Sequence, residues 1–237
     1  MIGSPHVTEL NLVDRVYRSL REGIVDGTYR PDSPLRLQAL ATQNGVSLIP
    51  VREALRLLER ERLVIATPNK GARVAPISLV SLRDLYQVRK LIESQAMSLA
   101  GPRLHSSALS ELYSLVMTMA EHFANSDKVG YLRLHREFHF GIYGKSESEW
   151  LIHLIETLWG HADRYLYLAV HYERSAEDVC EEHLNILNKI SCGDFEGACA
   201  ALEEDLDHTV MRVDSALSID SPDSEVAASH HIDHSPP

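Results

Sequence analysis

Cysteine is scarce in this chain. Its 237 residues include only Cys180, Cys192 and Cys199. They are odd in number and show no CxxC spacing, so they read as reduced, partly buried thiols rather than a disulfide framework. Long apolar runs are missing too, since none reaches the roughly 18 residues that a membrane-spanning helix needs. The N-terminus lacks the basic-then-apolar order of a signal peptide. A soluble, cytoplasmic protein with no membrane partner is expected. Positive charge is also short: 23 Lys and Arg face 34 Asp and Glu, a formal charge of -11. Taken whole, that balance argues against a nucleic-acid binder.

The distribution of charge points the other way. Residues 1–76 hold 11 Lys and Arg against 8 Asp and Glu, and the other 12 Lys and Arg share residues 77–237 with 26 Asp and Glu. A mildly basic front on a strongly acidic body suits a protein that presents one end to phosphate. The stretch Gly45–Leu63 is the most informative. A small-residue turn leads through Ser47 and Pro50 into a helix with apolar Val51, Ala54, Leu55, Leu57 and Leu58. Arg52, Arg56 and Arg60 recur every fourth residue and fall along one side of that helix. Such a helix, entered through a tight turn, suits insertion into a DNA groove.

Periodicity organises the rest of the front. Leu12, Val13, Val16, Leu20 and Ile24 mark a helix over 10–25 that Asp26-Gly27 stops. A second helix is expected over 35–44 and a third from Ser47, its cap, to about Arg62. Extended segments at 64–67 and 73–75 flank Pro68-Asn69-Lys70-Gly71 and read as a two-stranded hairpin. The pattern is a winged helix-turn-helix over 1–76, with Pro76 as the boundary. Beyond it six helical segments, near 79–99, 106–126, 128–143, 147–170, 176–192 and 194–217, predict an antiparallel bundle over 77–217. Residues 218–237 lack periodicity and are expected to be disordered. The fold class is mainly α.

Gly27, Pro31, Leu35, Leu40-Ala41, Gly45-Val46-Ser47, Pro50-Val51-Arg52-Glu53-Ala54-Leu55, Leu58, Leu63-Val64, Pro68-Asn69, Gly71 and Val74 form one long ordered pattern. Through these residues the front resembles the winged helix-turn-helix of the GntR family of bacterial transcription regulators. The body is similar to the all-helical ligand-binding FCD domain of the FadR subfamily, through Arg89 with Glu93, Phe138-His139, His183, Gly193-Asp194 and Ala198. Three positions depart from the pattern. Leu48 stands where the family usually has Arg, so it offers only apolar contact, such as to a thymine methyl, where a bidentate contact is worth about 1–3 kcal/mol of discrimination. Arg62 and Asp32 replace common glycines. The operator is expected to differ from the subfamily norm while the fold survives.

The residues expected at DNA are Arg36 and Gln38 on the second helix, Ser47, Leu48, Arg52 and Arg56 at the third, and Lys70 and Arg73 on the wing. In the body, His135 and His139 are four apart, so their rings share one helix face. The resemblance implies a metal site built from an Asp and a His four apart, then two His spaced by 22. Here His135 stands at the usual Asp position, and Asp205, 22 after His183, at the usual last His. The two changes are reciprocal and keep three imidazoles and one carboxylate. They point to a divalent ion (Zn, Ni or Mn) held by His135, His139, His183 and Asp205. His208 is a rival for the last place. The resemblance also puts Arg89 near an effector, where its guanidinium would clamp a carboxylate; the plainer alternative is a surface pair with Glu93.

Together these features predict a homodimeric DNA-binding regulator, a repressor, that binds a double-stranded operator and answers to a small organic acid at a metal-containing pocket. The alternatives are a metal-dependent hydrolase using the His/His/His/Asp set, and a DNA-binding dimer with no effector. No separate acid or base is nominated beside the four ligands, so the chain is expected not to be an enzyme.

Overall fold

The computed structural model describes residues 5–67, 71–170, 172 and 174–219. The chain divides into two compact units, Met1–Leu85 with His153–Tyr167, and Tyr86–Ile152 with Leu168–Pro237.

In the first unit, helices α1 (Pro5–Val25), α2 (Leu37–Asn44) and α3 (Leu48–Arg60) precede a small sheet. Val16, Leu20 and Ile24 of α1 bury one stripe against Val51, Ala54, Leu55 and Leu58 of α3, and the 3–4 residue spacing of both sets makes the two faces meet. Gly45 ends α2 at φ 63°, a left-handed conformation that turns the chain into α3. Pro50 is buried in the first turn of α3, where a missing N–H breaks no helical bond. Ser47 takes the cap position of α3, but its side chain makes no capping bond. The expected capping is therefore absent, and the exposed hydroxyl is left to other partners.

The sheet corrects the sequence reading. Leu35 does not begin a helix. It lies in β1 (Pro34–Leu35), which pairs antiparallel with β3 (Gly71–Val74), while β2 (Val64–Thr67) pairs with the other edge of β3. The order is β1-β3-β2. The apolar spacing of 35, 37, 40 and 41 suits a helix, but the partner that fixes Leu35 as strand is distant in sequence. A third strand matters because a lone hairpin is marginal in water. The tip 68–70, with Lys70, lies outside the described residues. Asp32 and Arg62 adopt positive φ, 61° and 55°. Both replacements thus keep the conformation that glycine adopts without strain.

The first unit also extends past Pro76, and it includes the middle of α7 (Glu149–Ala169). Arg21 Nη2 reaches Asp163 Oδ2 at 2.8 Å and the Gly160 carbonyl at 3.1 Å. The buried Arg164 donates to the Ala75 carbonyl at 2.7 Å. Sequence-distant arginine contacts of this kind leave no trace in local periodicity, and the segment 147–170 reads from sequence as body alone.

The second unit is helical. It contains most of α4 (Leu79–Ala100), then α5 (Ser106–Ala124), α6 (Lys128–Tyr143), the ends of α7, α8 (Ala176–Ser191) and α9 (Phe195–Ile219), with single 3-10 turns at Gly101–Arg103 and Gly144–Ser146. Helix α5 packs on α6 and α8, and α8 on α9. Asp127 caps α6, and Ser175 with Asp178 forms a reciprocal capping box on α8, so these helices start where a side chain satisfies the free N–H groups. The expected tail begins inside α9, which runs to Ile219; residues 220–237, with His230, His231 and His234, lie outside the described residues. Among the described residues no helix is long and apolar enough to cross a membrane.

Candidate DNA interface and candidate metal centre

Helix α3 buries Val51, Ala54, Leu55 and Leu58 and leaves Arg52, Arg56 and Arg60 exposed. Arg36, Gln38, Ser47 and Arg73 are exposed as well. Arg52 and Arg36 have no ion pair among the described residues. Arg56 is paired to Glu53 at 2.7 Å and Arg73 to Asp32 at 3.9 Å. Both pairs are solvated, so a phosphate can compete for either guanidinium. Leu48 is half-buried and packs on the apolar core of this unit. Its neighbour Ile49 is the apolar side chain that faces outward, 60% exposed at the start of α3. The sequence reading passed over Ile49 because periodicity assigns an apolar residue to the core by default.

In the second unit, His135 and His139 from α6, His183 from α8 and Asp205 from α9 come together. One ligand atom from each lies within 4.8 Å of all the others, and all four residues are buried. His139 Nε2 is 3.6 Å from Asp205 Oδ2. The rings of His135 and His139 stand 4.6 Å apart, and that of His183 lies 5.4 and 5.5 Å from them. His183 Nδ1 is 2.8 Å from the Val179 carbonyl, which can only accept, so Nδ1 carries the proton and Nε2 keeps its lone pair. That Nε2 and Asp205 Oδ1 are buried with no hydrogen-bond partner among the described residues.

Electrostatics make the four groups ready to bind a cation. Burial pushes His135 well below the usual imidazole range, and burial drops His139 to about 3. Burial also lowers His183. All three are neutral donors near neutral pH. Burial alone would raise Asp205, but His183, His139, Arg174 and Arg212 together hold its carboxyl below the ordinary value. Three neutral imidazoles, a carboxylate and unpartnered buried donor atoms fit a divalent ion of the Zn, Ni or Mn class. His208 is not part of the cluster; its Nδ1 sits 3.0 Å from Glu182 Oε1.

Arg89 is not on a helix surface. It is buried with Glu93, Nε to Oε1 2.6 Å, and its guanidinium lies 4.5 Å over the Tyr86 ring. A surface groove of about 700 Å³ lies between α8 and α9, lined by Asp178, Glu181, Glu182, Glu204, Asp205 and His208 among others. Among the described residues its lining includes no Lys or Arg, so its walls are rich in carboxylate.

Two family models match this chain, "Bacterial regulatory proteins, gntR family" over residues 12–74 and "FCD domain" over residues 84–208. The chain belongs to the GntR family of bacterial transcription regulators, with an FCD body. It is similar to the HTH-type transcriptional regulator McbR of Escherichia coli, 28% identical over 207 residues that cover 86% of this chain and 93% of McbR. The solved structure of E. coli McbR/YncC superposes with a TM-score of 0.70, covering 86% of this chain and 97% of that one. The Nta operon transcriptional regulator of Aminobacter aminovorans is 30% identical, over 81% of this chain and 88% of that protein. The E. coli HTH-type transcriptional repressor GlaR is 27% identical, over 85% and 96%. These relatives are regulators, and this GntR-family chain is a DNA-binding regulator rather than an enzyme.

Several polar residues around the cluster of this regulator escaped the sequence reading. Tyr143 Oη lies 2.7 Å from Glu93 Oε2 and 3.2 Å from His139 Nδ1. Arg174 bonds Tyr131 Oη at 2.8 Å and pairs with Glu182, which also takes Arg212 at 3.1 Å. Arg174 precedes the capping Ser175 in a loop, where an arginine reads as solvated. Tyr143 follows His139 by four, and that spacing was the available signal.

Proposed function

We propose that this chain is a homodimeric repressor whose winged head binds an operator through α3 and the wing, and whose body holds a divalent ion at His135, His139, His183 and Asp205. The observation that carries it is the convergence of four buried ligand atoms within 4.8 Å in a protein of this family. We keep the functional division at Pro76, with residues 1–76 for DNA and 77–217 for the cluster and for pairing the chains. Arg52 and Arg56 serve the groove or its phosphates, Arg36, Gln38, Lys70 and Arg73 the backbone, and Ser47 a phosphate at the start of α3. Leu48 supports this face from below, and Ile49 takes the apolar contact.

A divalent ion would be held by His135, His139, His183, oriented by Val179, and Asp205, and would supply a Lewis-acidic centre for the oxygen atoms of a small organic acid. Arg89 takes the acid's carboxylate by exchanging it for Glu93, so the effector must outcompete a buried ion pair. Helix α4 carries Arg89 and Glu93 and runs without a break from the first unit into the second, so it offers one covalent route by which occupancy reaches the head. A ligand shifts DNA affinity only if it binds one state better than the other.

The test is operator affinity, measured by fluorescence anisotropy on fragments from the chain's own genome, with the metal-loaded protein and a panel of small organic acids. A fall in affinity with one acid, lost on chelation, is expected. Metal-loaded protein whose affinity no acid changes would leave a second reading, a DNA-binding dimer without effector, which the Glu93-bound Arg89 and the acidic groove favour.

A further inference from the structure

We propose that Tyr143 is a positioning residue that determines which ring nitrogen of His139 is offered to the cluster. The inference rests on the metal-centre reading and deepens it. Tyr143 and His139 lie one turn apart on α6, both fully buried. Three contacts form a chain: His139 Nδ1 to Tyr143 Oη at 3.2 Å, Tyr143 Oη to Glu93 Oε2 at 2.7 Å, and Arg89 Nε to Glu93 Oε1 at 2.6 Å.

Proton counting gives the chain a direction. Glu93 accepts from the buried Arg89 guanidinium through Oε1, so it stands in the chain as an acceptor. Tyr143 Oη donates to Glu93 Oε2, which lies 2.7 Å away and has no hydrogen of its own to give. Its single hydrogen therefore points at Glu93. Toward His139 the phenol oxygen has only a lone pair left, so His139 Nδ1 must carry the ring's one N–H. That leaves Nε2 as a bare donor atom, and Nε2 is the atom 3.6 Å from Asp205 Oδ2. Two lone-pair atoms held this close gain from a cation between them.

The neighbouring ligand supports this logic. His183 is fixed in the same tautomer by the Val179 carbonyl at 2.8 Å. The two imidazoles thus use one device with different acceptors, a rigid backbone oxygen for His183 and a phenol for His139. Such outer hydrogen bonds orient metal-binding histidines and typically contribute about 10–100-fold to metal affinity.

The experiment uses the full chain labelled with ¹⁵N-histidine, stripped of metal, and read by two-bond proton–nitrogen correlation, which distinguishes the ring tautomers. His139 is assigned from the spectrum of His139→Gln. The wild type is expected to show His139 with Nδ1–H and a bare Nε2. Tyr143→Phe, which keeps the ring, is expected to populate the other tautomer and to weaken Zn²⁺ binding about 10–100-fold in competition with a chelating dye. An Nε2–H ring in the wild type overturns the proposal without any variant. Zinc uptake by the wild type with unchanged affinity in Tyr143→Phe overturns the proposal alone, and a wild type that takes up no zinc removes the metal-centre reading with it.

Discussion

Two Arg–Glu pairs in this protein look alike in sequence and differ in kind. In the head, Arg56 meets Glu53 at 2.7 Å with 68% and 47% of their side chains exposed. In the body, Arg89 meets Glu93 at 2.6 Å with 2% and 0% exposed. The spacing is i,i+3 in one and i,i+4 in the other, and either suits a helix surface. The solvated pair is weak and easily exchanged, so Arg56 remains usable by phosphate. The buried pair is costly to open, because either charge left alone in the interior lacks solvation. The contrast extends to the two regions: the arginines of α3 are exposed on the outside of a packed helix, while the His/His/His/Asp cluster is buried inside the second unit.

Removing one partner from each pair is the sharpest way to test that contrast. Glu93→Ala strands a buried guanidinium and takes the acceptor from Tyr143; a loss of about 3–5 kcal/mol is expected in urea unfolding. A loss near that of a surface pair would mean that Arg89 finds solvent. Arg52→Ala should do the opposite. Operator affinity falls by about 1–3 kcal/mol and its salt dependence becomes shallower, while stability in the same urea titration stays within about 0.5 kcal/mol.

Smaller effects refine the picture of the head. If Ile49 lies against a thymine methyl, replacing the contacted thymine by deoxyuridine removes about 0.8 kcal/mol, near fourfold in affinity, and Ile49→Ser, which leaves no methyl at that position, makes the two operators bind alike. A wild type indifferent to the methyl at every thymine would remove Ile49 from the interface. Glu53→Ala is the smallest change, within about 0.5 kcal/mol of wild-type stability. A large loss there would erase the distinction between the pairs.

Much of the fold was legible because it is local. The apolar stripes of α1 and α3 and the breakers between the body helices follow periods that one stretch of chain contains. The features that escaped depend on distant partners. Leu35 becomes strand because of β3, and the middle of α7 joins the first unit through Arg21 and Arg164. The cluster lies between these cases. The His135 and His139 spacing is local, and the family pattern supplied His183 and Asp205, but no periodicity brings α6, α8 and α9 together. Burial of the Arg89–Glu93 pair was invisible, since helical spacing says which residues are neighbours and not whether water reaches them. Tyr143 was missed for the same reason, as its value lies in Glu93 on another helix.

Elemental analysis of the protein purified without chelator, beside Asp205→Ala prepared in the same way, tests the central claim most directly. The account predicts a single divalent ion per chain in the wild type and its loss from the variant. A folded, operator-binding wild type that carries no metal and takes up none from solution would contradict it.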